Sequence, residues 1–257
     1  PPINADEDNH LLDNPHIFLD EIMRQAAESE IIRLSMDIRE GRPIQLYNGT
    51  NVRVISRKDF TENILTWADE VLVATNKARE QYNKQIRRIL GRGPMPEDGD
   101  KIVCLRNYWD DLSEGGDALV NGTIGTLHLP QDHEIKFPPY ARTSVDKVTA
   151  LQADLITEDG DIFPMVDFDK NMILTGEPCL DWRDSYALGK LRAKIGDIVP
   201  RQCAYGYAIT GHKAQGSEWN KVLVVEESFP FSKEDHARWL YTCVTRAADK
   251  LVLVRNE

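Results

Sequence analysis

Residues 208–219, with the sequence AITGHKAQGSEW, hold the densest group of side chains that could do chemistry in this chain of 257 residues. Within one turn they offer a hydroxyl, an imidazole and an ammonium group, on Thr210, His212 and Lys213. Such groups suit contacts with phosphates and bases. Gly216 lets the backbone come close to a ligand, and the Glu218 carboxylate can accept a hydrogen bond from a ribose hydroxyl. The alternative interpretation is a surface loop before a strand.

Arg246 is the second candidate, in the segment LYTCVTRA at residues 240–247. A planar guanidinium can bind two oxygens of a transferring γ-phosphoryl group and stabilise its charge. An isolated Arg near a helix end more often serves as a solvated charge that favours the helix dipole. The spacing of Tyr241 and Thr245 before it, and the apolar strand pattern after it, favour the catalytic interpretation.

Two weaker candidates lie towards the N-terminus. Residues 18–26, FLDEIMRQA, place Arg24 beside Gln25. Thr75-Asn76 follows the apolar run Val71–Ala74, which is typical of a buried parallel strand. Thr and Asn are also favoured at any strand-to-helix turn, because their side chains cap the following helix.

These segments resemble the motifs of superfamily 1 DNA helicases of the RecD/Dda type. Residues 210–219 read as motif V, T-x-H-K-x-Q-G-S-E followed by an aromatic residue, and residues 240–247 read as motif VI, L-Y-x-x-x-T-R-A. Residues 18–26 are similar to motif IV. A match of this length and spacing argues against a simple surface loop at residues 208–219.

The resemblance implies a role for each candidate. It assigns Arg246 as an arginine finger and Arg24 as a second arginine on the γ-phosphate. It places three residues in the ATP site, namely Gln25, Gly216 and Glu218. It assigns DNA contacts to Thr210, His212, Lys213, Thr75 and Asn76. For the last two, local capping stays an equal alternative.

The sequence contains no phosphate-binding loop of the form G-x-x-x-x-G-K-[ST]. The resemblance therefore implies that ATP and Mg²⁺ are bound mainly by an N-terminal RecA-like domain outside this sequence, and we expect no metal site within it. Motif III of these helicases ends in a Q-L-P-P type sequence, and the chain opens on Pro1-Pro2-Ile3. We therefore expect a piece of a longer protein that is inactive as an ATPase by itself.

The elements predicted around these motifs indicate an α/β fold. The resemblance implies a RecA-like, P-loop-NTPase-type motor domain from residues 1–97 and 201–257, a parallel sheet with flanking helices. Short strand patterns and the turn pairs Asn121-Gly122 and Asp159-Gly160 predict a small antiparallel β-barrel between them. This insert, residues 98–200, is similar to the Src-homology-3-like insert of the family. Its last part, from Lys170 to Pro200, is expected to be an arm or an extended loop.

The composition gives mixed signals about partners. The formal net charge of −11 by itself argues against a nucleic-acid-binding protein. However, residues 77–92 carry six basic side chains against the single acid Glu80, so a local binding groove is compatible with an acidic surface. No run of 18 apolar residues predicts a membrane span, and the N-terminus does not resemble a signal peptide. The four cysteines form no C-x-x-C pair, so we expect a reducing, cytoplasmic setting.

We therefore expect the C-terminal motor half of an ATP-dependent DNA helicase that translocates on single-stranded DNA with 5′→3′ polarity. One alternative is a nucleic-acid-binding or regulatory module without ATPase activity. Another is a RecD-like subunit of a recombination exonuclease complex. Tyr108 and Trp109 could stack on bases, but we expect at least one of them to lie in the core of the insert.

Overall fold

The computed structural model describes residues 29–227 and 232–256. Its larger sheet has six strands in the order β1-β2-β13-β12-β3-β11. All neighbours pair in parallel except the edge strand β1, which is antiparallel to β2. The six strands are β1 (Tyr47–Asn48), β2 (Val52–Ser56), β3 (Glu70–Val73), β11 (Ala208–Thr210), β12 (Trp219–Val225) and β13 (Ala247–Arg255).

Helices pack on both faces of this sheet. The described helices are α1 (Glu30–Arg39), α2 (Asn63–Trp67), α3 (Asn76–Ile89), α4 (Lys170–Thr175), α5 (Trp182–Ile195) and α6 (Lys233–Val244). Helices α1 and α6 share one apolar cluster with the sheet, and α2 and α3 share the cluster on the other face. A mainly parallel sheet covered in this way is the RecA-like motor architecture that the sequence predicted, and the α/β fold class is confirmed.

The sequence patterns account for these elements. In α1, Ile31, Leu34 and Ile38 recur at helical spacing and are buried. In α6, the hydroxyl of Ser232 accepts a hydrogen bond from the backbone N–H of Asp235 at 3.0 Å and so caps the N-terminus of the helix. The apolar runs Val71–Val73 and Val222–Val225 are fully buried central strands.

A second sheet of five antiparallel strands lies between these segments, in the order β10-β4-β7-β8-β9. Its strands are β4 (Lys101–Cys104), β7 (Ile124–Lys136), β8 (Lys147–Thr157), β9 (Ile162–Phe168) and β10 (Cys203–Tyr205), and a small ribbon adds β5 (Tyr108–Leu112) and β6 (Ala118–Leu119). The predicted turns form, with Gly122 and Gly160 at positive φ. The sequence predicted α/β character from about Cys203 onward, but β10 still pairs with β4 in this sheet.

The segment expected to be an arm or an extended loop contains two helices. Asp169 caps α4 by accepting a hydrogen bond from the N–H of Met172, and Gly176 ends it at positive φ. The Asp181 carboxylate caps α5 in the same way. Two Asp caps and a Gly stop are local helix signals. None of the described helices has the length and apolar character needed to cross a membrane.

Buried ion pairs join the two sheets. The Lys101 ammonium of β4 lies 2.9 Å from Glu70 of β3 and 2.9 Å from Glu158 in the turn after β8. Arg87 of α3 donates two hydrogen bonds to Asp100, at 3.0 and 2.9 Å. Asp100 also accepts from the Tyr207 hydroxyl and the Glu97 N–H, so its buried charge is well satisfied. Part of the basic stretch at residues 77–92 therefore serves to join α3 to the insert.

Candidate functional site

The predicted nucleic-acid residues lie at one edge of the parallel sheet. Strands β3 and β11 are neighbours, with Thr210 opposite Val73. The N–H of Gly211 donates to the carbonyl of Val73 at 3.0 Å, so motif V starts beside the end of β3. The pair Thr75-Asn76 follows that same strand end. Two segments that are more than 130 residues apart in the printed sequence are thus brought together, as the carboxyl ends of parallel strands require.

Motifs V and VI are bonded directly to each other. The N–H of Trp219 donates to the carbonyl of Arg246 at 3.0 Å. The Arg246 guanidinium donates from Nη1 to the carbonyl of Ser217 at 3.1 Å, and also to the Thr242 carbonyl and the Thr245 hydroxyl, each at 3.2 Å. All three acceptors are neutral. Among the described residues no carboxylate pairs with Arg246, so its charge is not compensated there.

A cleft of about 650 Å³ separates the end of motif V from the insert. Gly216, Ser217 and Glu218 line one side. The backbone of Gly216 is at φ +92° and no atom lies within 4 Å of a Cβ added there, so this backbone is open to a ligand. Acidic side chains from both sides also line the cleft, namely Asp117, Glu158, Asp159, Asp161 and Glu218. They repel phosphate, so this cleft disfavours the anionic end of a ligand.

Lys213 connects motif V to the insert. Its ammonium donates to the side-chain carbonyl of Asn121 at 2.6 Å, in the predicted tight turn before β7. Burial lowers the pKa of the Lys213 ammonium, and the nearby positive charge of Arg79 lowers it further. An anion placed here would be stabilised by both cations. The structure therefore places Lys213 at the boundary between the two sheets.

His212 is exposed and lines a cavity of about 280 Å³ between motif V and helix α6. Gly211 explains how close the two segments lie. A Cβ at this position would meet the Cys243 sulfur at 2.6 Å and the Trp239 indole nitrogen at 2.7 Å. Only glycine allows motif V to pack on α6 in this way.

Thr75 acts as a helix cap in this structure. Its hydroxyl accepts from the N–H of Ala78 at 3.1 Å and donates to the Glu227 carboxylate at 2.9 Å. Glu227 also accepts from the N–H groups of Ala74 and Thr75, at 2.6 and 2.9 Å. Both bonding directions of the hydroxyl are thus occupied, whereas Asn76 is exposed. The capping interpretation is confirmed, and the DNA contact of this pair stays a prediction.

The remaining predicted residues are distributed as follows. Thr210 is half-buried at the end of β11, where its carbonyl accepts from the N–H groups of Lys213 and Ala214. Arg24 and Gln25 lie outside the described residues. Tyr108 packs against the core of the insert, and its hydroxyl accepts from the N–H of Gln202, whereas Trp109 is exposed in the cleft. The expectation that at least one of these aromatics is core is confirmed.

Asn83 and Glu227 were missed by sequence reasoning. The buried Asn83 side chain accepts from the N–H groups of Tyr207 and Ala208, and donates to the carbonyls of Arg79 and Ala208. It thereby fixes the entry of β11, the strand that carries motif V. The available signal was a polar Asn on the apolar side of α3, four residues before Arg87. For Glu227 the signal was an acid two residues after the end of a central parallel strand.

Residues 205–254 match the model of the UvrD-like helicase C-terminal domain. This match confirms the helicase resemblance for the segment that holds motifs V and VI. A search of curated proteins found no match.

Among solved structures, the fold is similar to a Pif1 helicase from Candida albicans, at 17% identity and a TM-score of 0.45 over 92% of this chain and 55% of that one. It is also similar to a Pif1 helicase from Bacteroides in complex with ADP-AlF3 and ssDNA, at 13% identity and a TM-score of 0.47 over 92% of this chain and 51% of that one. The chain spans about half the length of these proteins.

Proposed function

We propose that this chain is the C-terminal motor half of an ATP-dependent DNA helicase of the RecD/Dda type, which translocates on single-stranded DNA and unwinds duplex. The observation that carries the proposal is the bond from Arg246 to the Ser217 carbonyl. It connects a cation suited to phosphate with the segment assigned to DNA. The direction 5′→3′ follows from the resemblance alone.

In the proposed domain arrangement, residues 1–97 and 201–257 form the second RecA-like domain, and residues 98–200 form an SH3-like insert over the DNA strand. A first RecA-like domain, outside this sequence, supplies the loop that holds the ATP phosphates and Mg²⁺. We propose that the protein acts inside the cell, in the cytoplasm. The residues of this chain fit a nucleotide beside Ser217, because the uncompensated Arg246 guanidinium contacts the Ser217 carbonyl and the backbone of the adjacent Gly216 is open.

The proposed mechanism is closure of the cleft between the two RecA-like domains. Arg246 has used three of its N–H donors on neutral acceptors and can direct the others at a γ-phosphate. Arg24 is the second arginine on that phosphate, with Gln25 beside it, and Glu218 accepts from the ribose. When Arg246 moves towards the phosphate, Ser217 and the rest of motif V move with it. Thr210, His212 and Lys213, together with Asn76 near Thr75, then advance along the strand.

The test is DNA-stimulated ATP hydrolysis in a protein that also carries the phosphate-binding domain. Because an arginine finger contributes about 10³–10⁵ in turnover, Arg246→Ala should reduce kcat by at least about a thousandfold while single-strand binding stays largely intact. Arg88→Ala is the matched control, because Arg88 is exposed on the opposite side of the sheet, where it pairs with Glu62. Near-normal turnover of Arg246→Ala would remove this assignment.

A binding module without ATPase activity is the alternative from another class. The contact of Lys213 with Asn121 favours a binding module, because it joins motif V and the insert into one continuous surface. Tight single-strand binding that ignores nucleotide, in the presence of the phosphate-binding domain, would support this alternative. Co-purification with nuclease subunits would instead support a RecD-like subunit of an exonuclease complex.

A further inference from the structure

Helix α5 presents a face of exposed aromatic side chains. Trp182 is 73% exposed and Tyr186, one turn later, is 60% exposed. Tyr140, from the short 3-10 turn Pro139–Ala141, is 54% exposed. Large aromatic side chains are normally buried, because each covers 150–250 Å² of surface when it packs. Three of them in one exposed region indicate a surface that meets a partner.

A basic side chain lies over each of these rings. The Lys190 ammonium is 4.4 Å from the ring centre of Tyr186, and the Lys194 ammonium is 4.9 Å from that of Tyr140. The guanidinium carbon of Arg183 is 5.5 Å from the Trp182 ring. In the described part of the chain none of these three cations pairs with a carboxylate. The face therefore keeps its positive charge in a protein whose formal net charge is −11.

The opposite side of α5 holds this face in place. Leu188 is fully buried, and Leu191 and Ile195 pack beside it under the far end of the hairpin formed by β7 and β8. The one acid within the helix, Asp184, is buried and accepts hydrogen bonds from both the N–H and the hydroxyl of Ser144. The aromatic and basic face is thus directed outward by fixed contacts.

We propose that this face, formed by Tyr140, Trp182, Arg183, Tyr186, Lys190 and Lys194, is a second binding surface for single-stranded nucleic acid. Unpaired bases stack on the three rings, and the cations neutralise the adjacent phosphates. Aromatic rings beside basic side chains are the combination that single-strand binding requires, since every base has a flat face and every linkage a negative charge. A folded duplex would offer only its phosphates, because its bases are already stacked.

The surface is distinct from the motif V site and does not depend on the motor function. Strand β7 runs from Ile124, near the Asn121 turn that contacts Lys213, to Lys136 beside this face. Its 13 residues span at most roughly 40 Å at the usual rise of a strand, because the pairing with β8 shifts register between His128 and Gln131. A single nucleic-acid strand bound at both sites would therefore have to run along the insert.

The experiment is fluorescence anisotropy of a labelled 20-nucleotide oligo-dT with the full 257-residue chain, over a range of salt concentrations. Measurements are repeated in a His212→Ala background, so that motif V does not mask the second surface. The aromatic variant is Trp182→Ala with Tyr186→Ala, and the charge variant is Lys190→Ala with Lys194→Ala. The matched controls, on the parallel-sheet side, are Tyr47→Ala and Lys58→Ala. All of these side chains are exposed, so the variants should fold, which circular dichroism verifies.

The aromatic variant should weaken binding at least about fivefold, the lower limit expected for one lost base stack. The charge variant should reduce the slope of log affinity against log salt by about 1.4, since each phosphate contact on a single strand contributes about 0.7. Unchanged affinity and slope in both variants would overturn the proposal. The same variants are also measured with poly-glutamate. If they lose binding to poly-glutamate and keep binding to oligo-dT, the face recognises an acidic protein segment and the proposal is overturned.

Failure of the DNA-binding assignment of motif V gives a different pattern. In that case the His212→Ala background would bind oligo-dT as the wild type does, while the variants of α5 still reduce the affinity.

Discussion

Gly211→Ala tests how motif V is held against helix α6. The added methyl group would lie 2.6 Å from the Cys243 sulfur and 2.7 Å from the Trp239 indole nitrogen. Carbon normally meets such atoms at about 3.5–4.0 Å, so motif V must retreat by about 1 Å. Both neighbouring side chains are buried in the core between α6 and the sheet. Overpacking of this kind costs about 1–3 kcal/mol.

The same shift lengthens the hydrogen bond from the Gly211 N–H to the Val73 carbonyl, which is 3.0 Å in the native chain. This bond sets the start of the turn that carries His212 and Lys213. We therefore expect Gly211→Ala to weaken single-strand binding as well as to lower the free energy of unfolding.

The assay is urea unfolding, with the midpoint and slope fitted for each variant. Cys243→Ala removes the contact with the sulfur and leaves the one with the Trp239 indole. The double variant should therefore be partly relieved, and more stable than the sum of the two single effects predicts by about 0.5 kcal/mol or more. Gly189→Ala is the control, because nothing lies within 4 Å of an added Cβ there and Gly189 is inside helix α5. This control should be about 0.5–1 kcal/mol more stable than the native chain. A Gly211→Ala variant of native stability, or one that Cys243→Ala does not relieve, would refute this explanation.

Two further perturbations test the junction between the sheets. Burial raises the pKa of the Glu70 carboxyl to about 7, in spite of the adjacent Lys101, so the folded chain binds a proton that the unfolded chain releases from about pH 4.5 upward. The free energy of unfolding should therefore fall as pH rises from about 4.5 to 7, by up to roughly 3 kcal/mol. Glu70→Gln should remove most of this pH dependence, which urea unfolding measures. Asp100→Ala leaves the Arg87 guanidinium buried without its carboxylate and should cost about 3–5 kcal/mol, whereas the double variant with Arg87→Met should recover part of this loss. A single variant as stable as the native chain would show that the pair is solvated.

The sequence predicted the parallel sheet because its strands are short apolar runs that must be buried on both faces. Val71–Val73 and Val222–Val225 are fully buried, and the helices packed on them show apolar residues at helical spacing. Local chemistry was sufficient here. The same holds for the tight turns at Gly122 and Gly160.

Contacts between distant segments could not be predicted from local sequence patterns. Cys104 and Cys203 are far apart in the sequence, yet they lie directly opposite each other on β4 and β10 as free thiols. The carboxylate that binds the Thr75 hydroxyl comes from Glu227, which lies 152 residues further along the chain. Such pairings depend on strand order, which is set by the whole chain.

The arm from Lys170 to Pro200 shows a different limit. Its helix α5 has an exposed face of aromatic and basic side chains, so the usual contrast between an apolar and a polar side is weak. The signals that remained were the Asp caps and the Gly stop. Exposed aromatic residues on one helix face thus weaken the sequence pattern by which the helix would be predicted.

Within the candidate site, the residue types were predictable and their bonds were not. Motif spacing brought attention to Arg246 and Lys213. Only the structure shows that Arg246 donates to the Ser217 carbonyl and that Lys213 donates to Asn121 of the insert. These bonds decide which segments can move together.

The most direct test of the proposed motor is ATP hydrolysis stimulated by single-stranded DNA. It is measured for this chain alone and for a protein that also carries the phosphate-binding domain, at equal concentration. We predict strong stimulation when that domain is present and no turnover by the chain alone, since its sequence has no phosphate-binding loop. Silence in both samples, with DNA still bound by the chain, would contradict the motor and support a binding module.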